Sequence, residues 1–151
     1  MHEISVAPAS EADREWSARL MARSEPWTRL GRTLEECRRS LRNPEDLLFI
    51  ASQAGEPRAF LLLRPRGVAG EPYIVRVAVD EAFRSSGIGT QLMAFSEDYF
   101  RGQSPHIFLC VSSFNIRARA LYERLGYDVA GEFPDYIVAG ASEILMHKRL
   151  R

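Results

Sequence analysis

The segment from residue 77 to residue 90 combines residue types that are suited to binding an anion. Val77, Ala78 and Val79 form the end of an apolar strand, and Arg-Ser-Ser-Gly-Ile-Gly at 84–89 then opens a helix. The first N–H groups of a helix lack intrahelical partners and attract negative charge, and glycine lets a bulky group approach the backbone. The segment therefore predicts a phosphate or pyrophosphate site, although two glycines could also serve only a tight strand-to-helix turn.

Two other phosphate-binding patterns do not fit this segment. A dinucleotide-binding fold requires a third glycine, but Leu92 occupies that position. A P-loop requires a Gly-Lys-Ser/Thr ending, which the sequence lacks. The pattern to be explained is therefore Arg84-x-x-Gly87-x-Gly89 after a Val-Ala-Val strand.

Asn115 and Tyr122 form a second candidate group further along the chain. They are seven residues apart, which is about two turns of a helix, so they share a face and could contact one ligand. Each also has a purely structural interpretation. Asn115 could cap the helix, and Tyr122 could pack beside Leu121 and Leu125.

These candidates must be positioned by a mixed α/β fold. Apolar periodicity and turn residues predict the order β-α-α-β-β-β-α-β-α-β-β. Capping boxes at Ser10 with Asp13 and at Thr33 with Glu36 open the first two helices. Because no internal repeat or linker interrupts the pattern, we expect one domain over residues 1–151.

Composition excludes several classes of function. The formal net charge is zero, so there is no overall electrostatic basis for binding nucleic acid or a membrane surface. The longest apolar run, at 59–63, is too short to span a bilayer, and two cysteines without a secretory signal predict a cytoplasmic protein. The three histidines, His2, His106 and His147, show no metal-ligand spacing, so no metal is expected.

The Arg84-x-x-Gly87-x-Gly89 pattern resembles the coenzyme A-binding signature of the GNAT N-acetyltransferases. The resemblance continues through Asn115 and the segments 120–122 and 125–127, and it covers roughly residues 45–149. It implies the GNAT fold, a central, mostly antiparallel mixed sheet of about seven strands with a V-shaped splay, flanked by about four helices. Within the family, the chain resembles enzymes that acetylate the N-terminal alanine of ribosomal proteins.

The resemblance implies acetyl-coenzyme A as co-substrate. Backbone N–H groups of 84–90 would hold the pyrophosphate with help from the Arg84 side chain, and the bulged strand at 77–79 would pair with pantetheine and stabilise the thioester oxygen. The implied cofactor-binding residues are Val77, Ala78, Val79, Arg84, Ser85, Ser86, Gly87, Ile88, Gly89, Thr90 and Asn115.

The implied reaction is direct attack of an amine on the thioester in a ternary complex, with Tyr122 protonating the departing thiolate. A protonated amine cannot attack, so a general base is needed. Glu71 is the first candidate, and Glu132 and Asp135 are the others. The ribosomal-protein enzymes carry a glutamate where this chain has Cys110, and we expect Cys110 to be a packing or pocket-lining residue instead of an acetylated nucleophile.

Two segments resemble the variable loops that flank the acceptor site of the family. They are 24–32, which contains Trp27, and 133–140, which contains Asp135 and Tyr136. The acceptor expected there is a protein N-terminal amine or a small-molecule amine, in a monomer or a homodimer. The alternative class is a regulatory module that binds acetyl-coenzyme A without catalysis.

Overall fold

The computed structural model describes residues 3–151, which form a seven-stranded sheet with helices on both faces. The strands are β1 (Ile4–Pro8), β2 (Leu47–Gln53), β3 (Glu56–Val68), β4 (Glu71–Val79), β5 (His106–Ser112), β6 (Asp128–Pro134) and β7 (Ser142–Arg149). The helices are α1 (Glu11–Ala22), α2 (Leu34–Ser40), α3 (Ile88–Phe100) and α4 (Ile116–Arg124). This order is the one that the sequence predicts, so the mixed α/β prediction is confirmed.

Local sequence determines where the first two helices begin. Both predicted capping boxes are present: the Ser10 hydroxyl accepts from the N–H of Asp13, and the Thr33 hydroxyl accepts from the N–H of Glu36. In each box the acidic side chain in turn accepts from the backbone N–H of the capping residue. Such a cap contributes about 1 kcal/mol to stability, which helps to hold short helices against the sheet.

The predicted V-shaped splay lies between β4 and β5, the parallel pair of an otherwise antiparallel sheet. The strand order is β1-β2-β3-β4-β5-β7-β6. β4 and β5 pair only at Tyr73 with Phe108 and at Ile74 with Leu109. Beyond Ile74 the two strands separate, so the remainder of β4 has an edge that is open toward β5.

A bulge in β4 lies directly at the splay. Leu62 of β3 pairs with Arg76, whereas the next residue, Leu63, pairs with Ile74. Val75 is therefore the extra residue, and an extra residue bends its strand and re-aims the side chains that follow. The bulge expected from the resemblance is present, two residues before Val77.

Apolar residues form one core on each face of the sheet. The central strand β3 alternates between them, with Leu61 and Leu63 in the core beneath α3 and α4, and Phe60 and Leu62 in the core beneath α1 and α2. Burial on both faces makes this strand rigid.

The helices are short relative to a membrane. α3 contains 13 residues, whereas crossing the hydrocarbon core of a bilayer takes about 20. Within residues 3–151, no helix is both long and apolar enough to cross a membrane.

Candidate active site

A cavity of about 390 Å³ lies where β4 parts from β5, bounded by the segment that leads into α3 and by α4. All of the expected cofactor-binding residues except Ser86 line it, namely Val77, Ala78, Val79, Arg84, Ser85, Gly87, Ile88, Gly89, Thr90 and Asn115. The Ser86 hydroxyl points back and donates to the carbonyl of Phe83, closing the turn. The structure thus brings residues from three elements together around one space.

The N-terminus of α3 faces this cavity without a side-chain cap. Gly87 is the capping residue, with φ at +88°, and it provides no side chain to accept from the first N–H groups of the helix. A Cβ added at Gly87 would have nothing within 4 Å, so glycine is needed here for its backbone conformation and not for space. The uncapped N–H groups and the helix dipole form an anion-binding position.

Three arginines add positive charge to the same cavity. Arg84, Arg117 and Arg124 all line it. Arg117 of α4 donates to the hydroxyl of Ser85, and the Nε of Arg84 lies 3.4 Å from the carbonyl oxygen of Val79. Guanidinium groups suit phosphate oxygens in charge and in geometry. The cavity therefore fits a ligand with several phosphates, such as coenzyme A.

A second cavity, of about 430 Å³, adjoins the first on the other side of the splay. It lies between the bulge of β4, strands β5 and β7, and the segments around Trp27 and Tyr136. Both cavities are lined by Glu25, Val77, Asn115, Ala118 and Tyr122. Two ligands could therefore meet at this shared wall.

Tyr122 is a buried part of that wall. Its side chain is 8% exposed, and its ring lies 6.3 Å from the ring of Tyr127. Burial raises the pKa of Tyr122 to about 12, and no hydrogen bond from the described residues 3–151 contributes to that shift. The hydroxyl is therefore protonated at neutral pH and able to donate a proton. Packing and a chemical role are compatible at this position.

Asn115 caps α4, as its structural interpretation predicts. Its side-chain oxygen accepts from the N–H of Ala118 at 3.3 Å. Because the cap lies at the shared wall, Asn115 also lines both cavities. Asn115 and Tyr122 therefore both lie at the wall that the two cavities share.

The three carboxylates proposed from sequence lie outside the lining of both cavities. Glu71 is at the start of β4, where it accepts from the Ser104 hydroxyl. Glu132 accepts from the Ser142 hydroxyl at 3.0 Å, and Asp135 accepts from the N–H of Gly140 at 2.6 Å. In this geometry none of them is placed to act as the general base. The first candidate, Glu71, is near the wrong end of its strand.

The carboxylate of Glu143 does line the second cavity, and the sequence did not single it out. Glu143 on β7 pairs with Ser112 on β5, and its Oε2 accepts from the Ser112 hydroxyl at 2.5 Å. Cys110 lies two residues before Ser112, on the same face of β5. The alternation of side chains along β7 was the signal for Glu143, but the sequence alone does not give the register of β7 with β5.

Cys110 lines the second cavity as a neutral thiol. Burial raises its pKa, a hydrogen bond with the Tyr73 hydroxyl opposes this, and the charge of Glu143 raises it further. A raised pKa makes the thiolate scarce at neutral pH. This environment favours the pocket-lining interpretation over an acetylated nucleophile.

Each expected acceptor segment contributes to the second cavity. Trp27 is 8% exposed and lies 6.3 Å from the Phe60 ring, so it is part of the core as well as of the cavity wall. Tyr136 also lines the cavity but is 70% exposed. Asp135, the third residue proposed for acceptor binding, is absent from the lining.

The histidines do not form a metal site in the described part of the chain. Across residues 3–151 there is no group of three His, Cys, Asp or Glu side chains arranged to hold a metal ion. His106 and His147 form a pair, with Nδ1 and Nε2 2.8 Å apart. His2 lies outside the described residues.

The open edge of β4 and the uncapped helix start behind Gly87 agree with the resemblance to acyltransferases that use coenzyme A thioesters. The family model described as "Acetyltransferase (GNAT) family" matches residues 10–127, so the chain belongs to the GNAT acetyltransferase family. The resemblance based on Arg84, Gly87 and Gly89 is thereby confirmed.

One of the proteins similar in sequence is a curated relative from an archaeon. An uncharacterized N-acetyltransferase of Methanocaldococcus jannaschii is 35% identical over 82 residues, which are 53% of this chain and 53% of that protein. The chain thus aligns with only about half the length of this relative.

Two solved structures share the fold at low sequence identity. One is the ribosomal-protein-S18-alanine N-acetyltransferase of Escherichia coli, with a TM-score of 0.79 and 22% identity, covering 98% of this chain and 94% of that one. The other is an aminoglycoside 6'-N-acetyltransferase complexed with coenzyme A, with a TM-score of 0.79 and 17% identity, covering 97% of each chain. The GNAT fold prediction is confirmed.

Proposed function

We propose that this protein transfers the acetyl group of acetyl-coenzyme A to a primary amine by direct attack while both substrates are bound. The observation that carries the proposal is the shared wall at Tyr122, where the two cavities meet. A thioester in the first cavity and an amine in the second could react there without an acetyl-enzyme. Membership of the acetyltransferase family supports the same reaction.

The first cavity fits the coenzyme by charge and by backbone conformation. The uncapped N-terminus of α3 behind Gly87 is suited to the pyrophosphate, with Arg84 and Arg117 beside it. The pantetheine arm can run along residues 77–79, where β4 has lost its pairing with β5. The aminoglycoside 6'-N-acetyltransferase of the same fold, complexed with coenzyme A, supports this assignment.

Two groups of the chain would then act on the thioester. Backbone N–H groups of β4 beyond the bulge stabilise negative charge that develops on the carbonyl oxygen, an effect commonly worth about 3 to 4 kcal/mol. Tyr122, protonated at neutral pH, donates its proton to the departing sulfur. Both groups lie along the lining of the first cavity, so neither requires a large movement of the chain.

Glu143 replaces Glu71 as the proposed proton acceptor. An alkylamine with a pKa of about 10 is protonated at neutral pH and must lose a proton before it attacks. Glu143 is held by Ser112 at the lining of the second cavity, on the strand next to Cys110. The carboxylate thus compensates for the glutamate that this chain lacks at position 110.

The prediction for Glu143→Gln is a loss of about 10²-fold in kcat/KM at neutral pH, the typical contribution of a positioned base. The loss should shrink at high pH, where the amine deprotonates without help. Glu71→Gln is the matched control and should retain the wild-type pH profile, because its carboxylate lies outside both cavities. A Glu143→Gln enzyme with an unchanged profile would exclude this base.

The acceptor is a protein N-terminal amine or a small-molecule amine, and the two solved neighbours act on one of each. The test is calorimetry with acetyl-coenzyme A, followed by thiol release across a panel of amines and N-terminal peptides. We expect binding together with acceptor-dependent thiol release. Binding without such release would instead favour a regulatory acetyl-coenzyme A-binding module, and no binding would refute both functions.

A further inference from the structure

One side of the second cavity carries a half-buried arginine that forms no ion pair within residues 3–151. Arg76 lines this cavity, and its Nε is buried without a hydrogen-bond partner in the described residues 3–151. Burial lowers the pKa of Arg76, the charges of Arg32 and Arg64 act in the same direction, and Tyr73 and Asp46 oppose the shift without cancelling it. A buried donor of a charged group that lacks a hydrogen-bond partner is costly and calls for an explanation.

The bulge of β4 is what places Arg76 there. Ile74 and Val77 both pack in the core beneath α3 and α4, although they are three residues apart. Val75 packs on the opposite face, with the core beneath α1 and α2. Strict alternation would have returned Arg76 to the Ile74 face, whereas the extra residue leaves it on the Val75 face, beside Arg32 and Cys37.

Arg32 adds a second positive charge to this side of the cavity. Its Nε is likewise buried and has no hydrogen-bond partner within residues 3–151. Its carboxylate contact is Glu36, at 4.0 Å and partly exposed. Arg64 differs from both, because Asp46 neutralises it with oxygens 2.6 and 3.1 Å from its nitrogens. Arg76 is therefore the arginine of this cavity that has no carboxylate contact among residues 3–151, and Arg32 has only the long contact with Glu36.

The carboxylates of the cavity are already engaged by other groups. Glu143 accepts from Ser112, near Cys110. Glu25 accepts from the Thr28 hydroxyl at 2.6 Å and lies 3.9 Å from Arg29. Positive charge is thus concentrated beside α2, while Glu143 supplies negative charge from β7.

We infer that Arg76, with Arg32, binds a carboxylate of the acceptor, so that the substrate is an amine that also carries a carboxylate. The inference rests on the proposed function and narrows its acceptor class. The carboxylate supplies the missing partner of a planar guanidinium, which suits bidentate pairing. The amine then faces Glu143 and Tyr122. Polycationic amines are disfavoured, because they bring further positive charge to Arg32 and Arg76.

The first test compares amines that differ only in the carboxylate. The acceptors are glycine, β-alanine, γ-aminobutyrate and 5-aminovalerate, each beside its amide, with rates referred to the concentration of free amine. We expect the best carboxylate to exceed its amide by about 10- to 100-fold in kcat/KM, the range of a charge-assisted hydrogen bond. Equal rates for carboxylates and amides in the wild type would overturn the inference.

Arg76→Met should abolish this preference by raising KM for the carboxylates and leaving the amides unchanged. Arg58→Met is the matched control, since the Nε of Arg58 is also buried without a partner within residues 3–151 but Arg58 stacks on Phe83 outside the second cavity. The control should keep the preference. A preference that survives in Arg76→Met would overturn the inference.

A binding measurement separates this inference from the proposed function. The preferred amino acid should raise the melting temperature of the wild type and of Arg58→Met, but not that of Arg76→Met, without acetyl-coenzyme A. No shift in the wild type at concentrations up to 100 mM would refute the carboxylate site even if acetylation occurs. If the shift occurs but no amine is acetylated, the proposed function fails and the site stands.

Further acceptors test which kind of molecule carries the carboxylate. C-terminally amidated peptides with glutamate or glutamine at the second position test an acidic peptide N-terminus against a free amino acid. A glutamate preference that Arg76→Met removes supports the site with a peptide acceptor. If 2-aminoethyl phosphate exceeds every carboxylate, the carboxylate assignment is overturned in favour of a phosphate.

Discussion

Replacing Tyr122 by phenylalanine removes the proposed acid and leaves the aromatic ring in place. The ring packs against Tyr127 and is almost fully buried, so its contacts should persist. No hydrogen bond from residues 3–151 contributes to the pKa shift of the Tyr122 hydroxyl. Removing the hydroxyl should therefore change the free energy of unfolding by less than about 0.5 kcal/mol. Affinity for acetyl-coenzyme A should also stay nearly constant.

The size of the kinetic effect follows from the pKa of Tyr122. Burial raises that pKa to about 12, whereas a thiol such as that of coenzyme A ionises near about 8.5. Proton transfer from tyrosine to the thiolate is therefore uphill, and the thiolate can leave unprotonated at some cost. A positioned acid typically contributes about 10²-fold, so we expect the single-turnover rate to fall by about 10- to 100-fold.

Tyr127→Phe is the matched control because it removes the hydroxyl of the neighbouring tyrosine, which lines neither cavity. That hydroxyl donates to the buried carboxylate of Glu97 at 3.1 Å. Its loss should cost about 1.5 to 3 kcal/mol of stability and leave the single-turnover rate unchanged. If Tyr122→Phe acetylates its acceptor at the wild-type single-turnover rate, Tyr122 is a packing residue and the acid lies elsewhere.

Three further predictions follow from the geometry. Gly87→Val should weaken binding of coenzyme A at least about tenfold, because its positive φ is strained for any L-residue. Gly102 lies beyond the other end of α3 with φ at +90°, so Gly102→Val is a control with similar backbone strain. It should lower stability without changing the calorimetric affinity for coenzyme A. Cys110→Ala should retain substantial turnover, and mass spectrometry should find no acetyl group on Cys110 of the wild type at a competent rate. Burial and the charge of His106 lower the pKa of His147, so the unfolded chain binds a proton there more readily than the folded protein does. The free energy of unfolding should therefore fall as the pH drops below about 6.5, by up to about 1.4 kcal/mol per pH unit. Denaturation of the wild type and of His147→Gln at pH 7.5 and 5.5 measures this loss of stability. An equal loss in both proteins would contradict the prediction.

The order of the elements could be predicted because each one has a local signal. Ser10 and Thr33 start their helices through contacts only three residues long, and both capping boxes form as expected. The anion-binding turn is also local, since Gly87 and the N–H groups behind it belong to one continuous segment. The resemblance added the splay and the bulge, which have no local signature.

The carboxylate proposed as general base, Glu143, could not be found from the sequence, because its position depends on strand register. Glu71, Glu132 and Asp135 were chosen from sequence segments near the predicted site, yet all three lie outside both cavities. Glu143 reaches the cavity only because β7 pairs antiparallel with β5 in one particular register. Moving that pairing by one residue would turn Glu143 to the opposite face of the sheet.

The bulge at Val75 is the reason why the lining of the second cavity is hard to predict from the sequence. In an unbroken strand, Arg76 would share a face with Ile74 and would be read as a residue beneath α3 and α4. One extra residue instead places the guanidinium in the second cavity, while Val77 keeps its place at the boundary with the first. The same distortion therefore lies beside the open edge of β4 in the first cavity and adds a charge to the second cavity. On this reasoning the bulge links the two cavities, and under the proposed function the chemistry of the acceptor should be sought in Arg76 before the exposed loops.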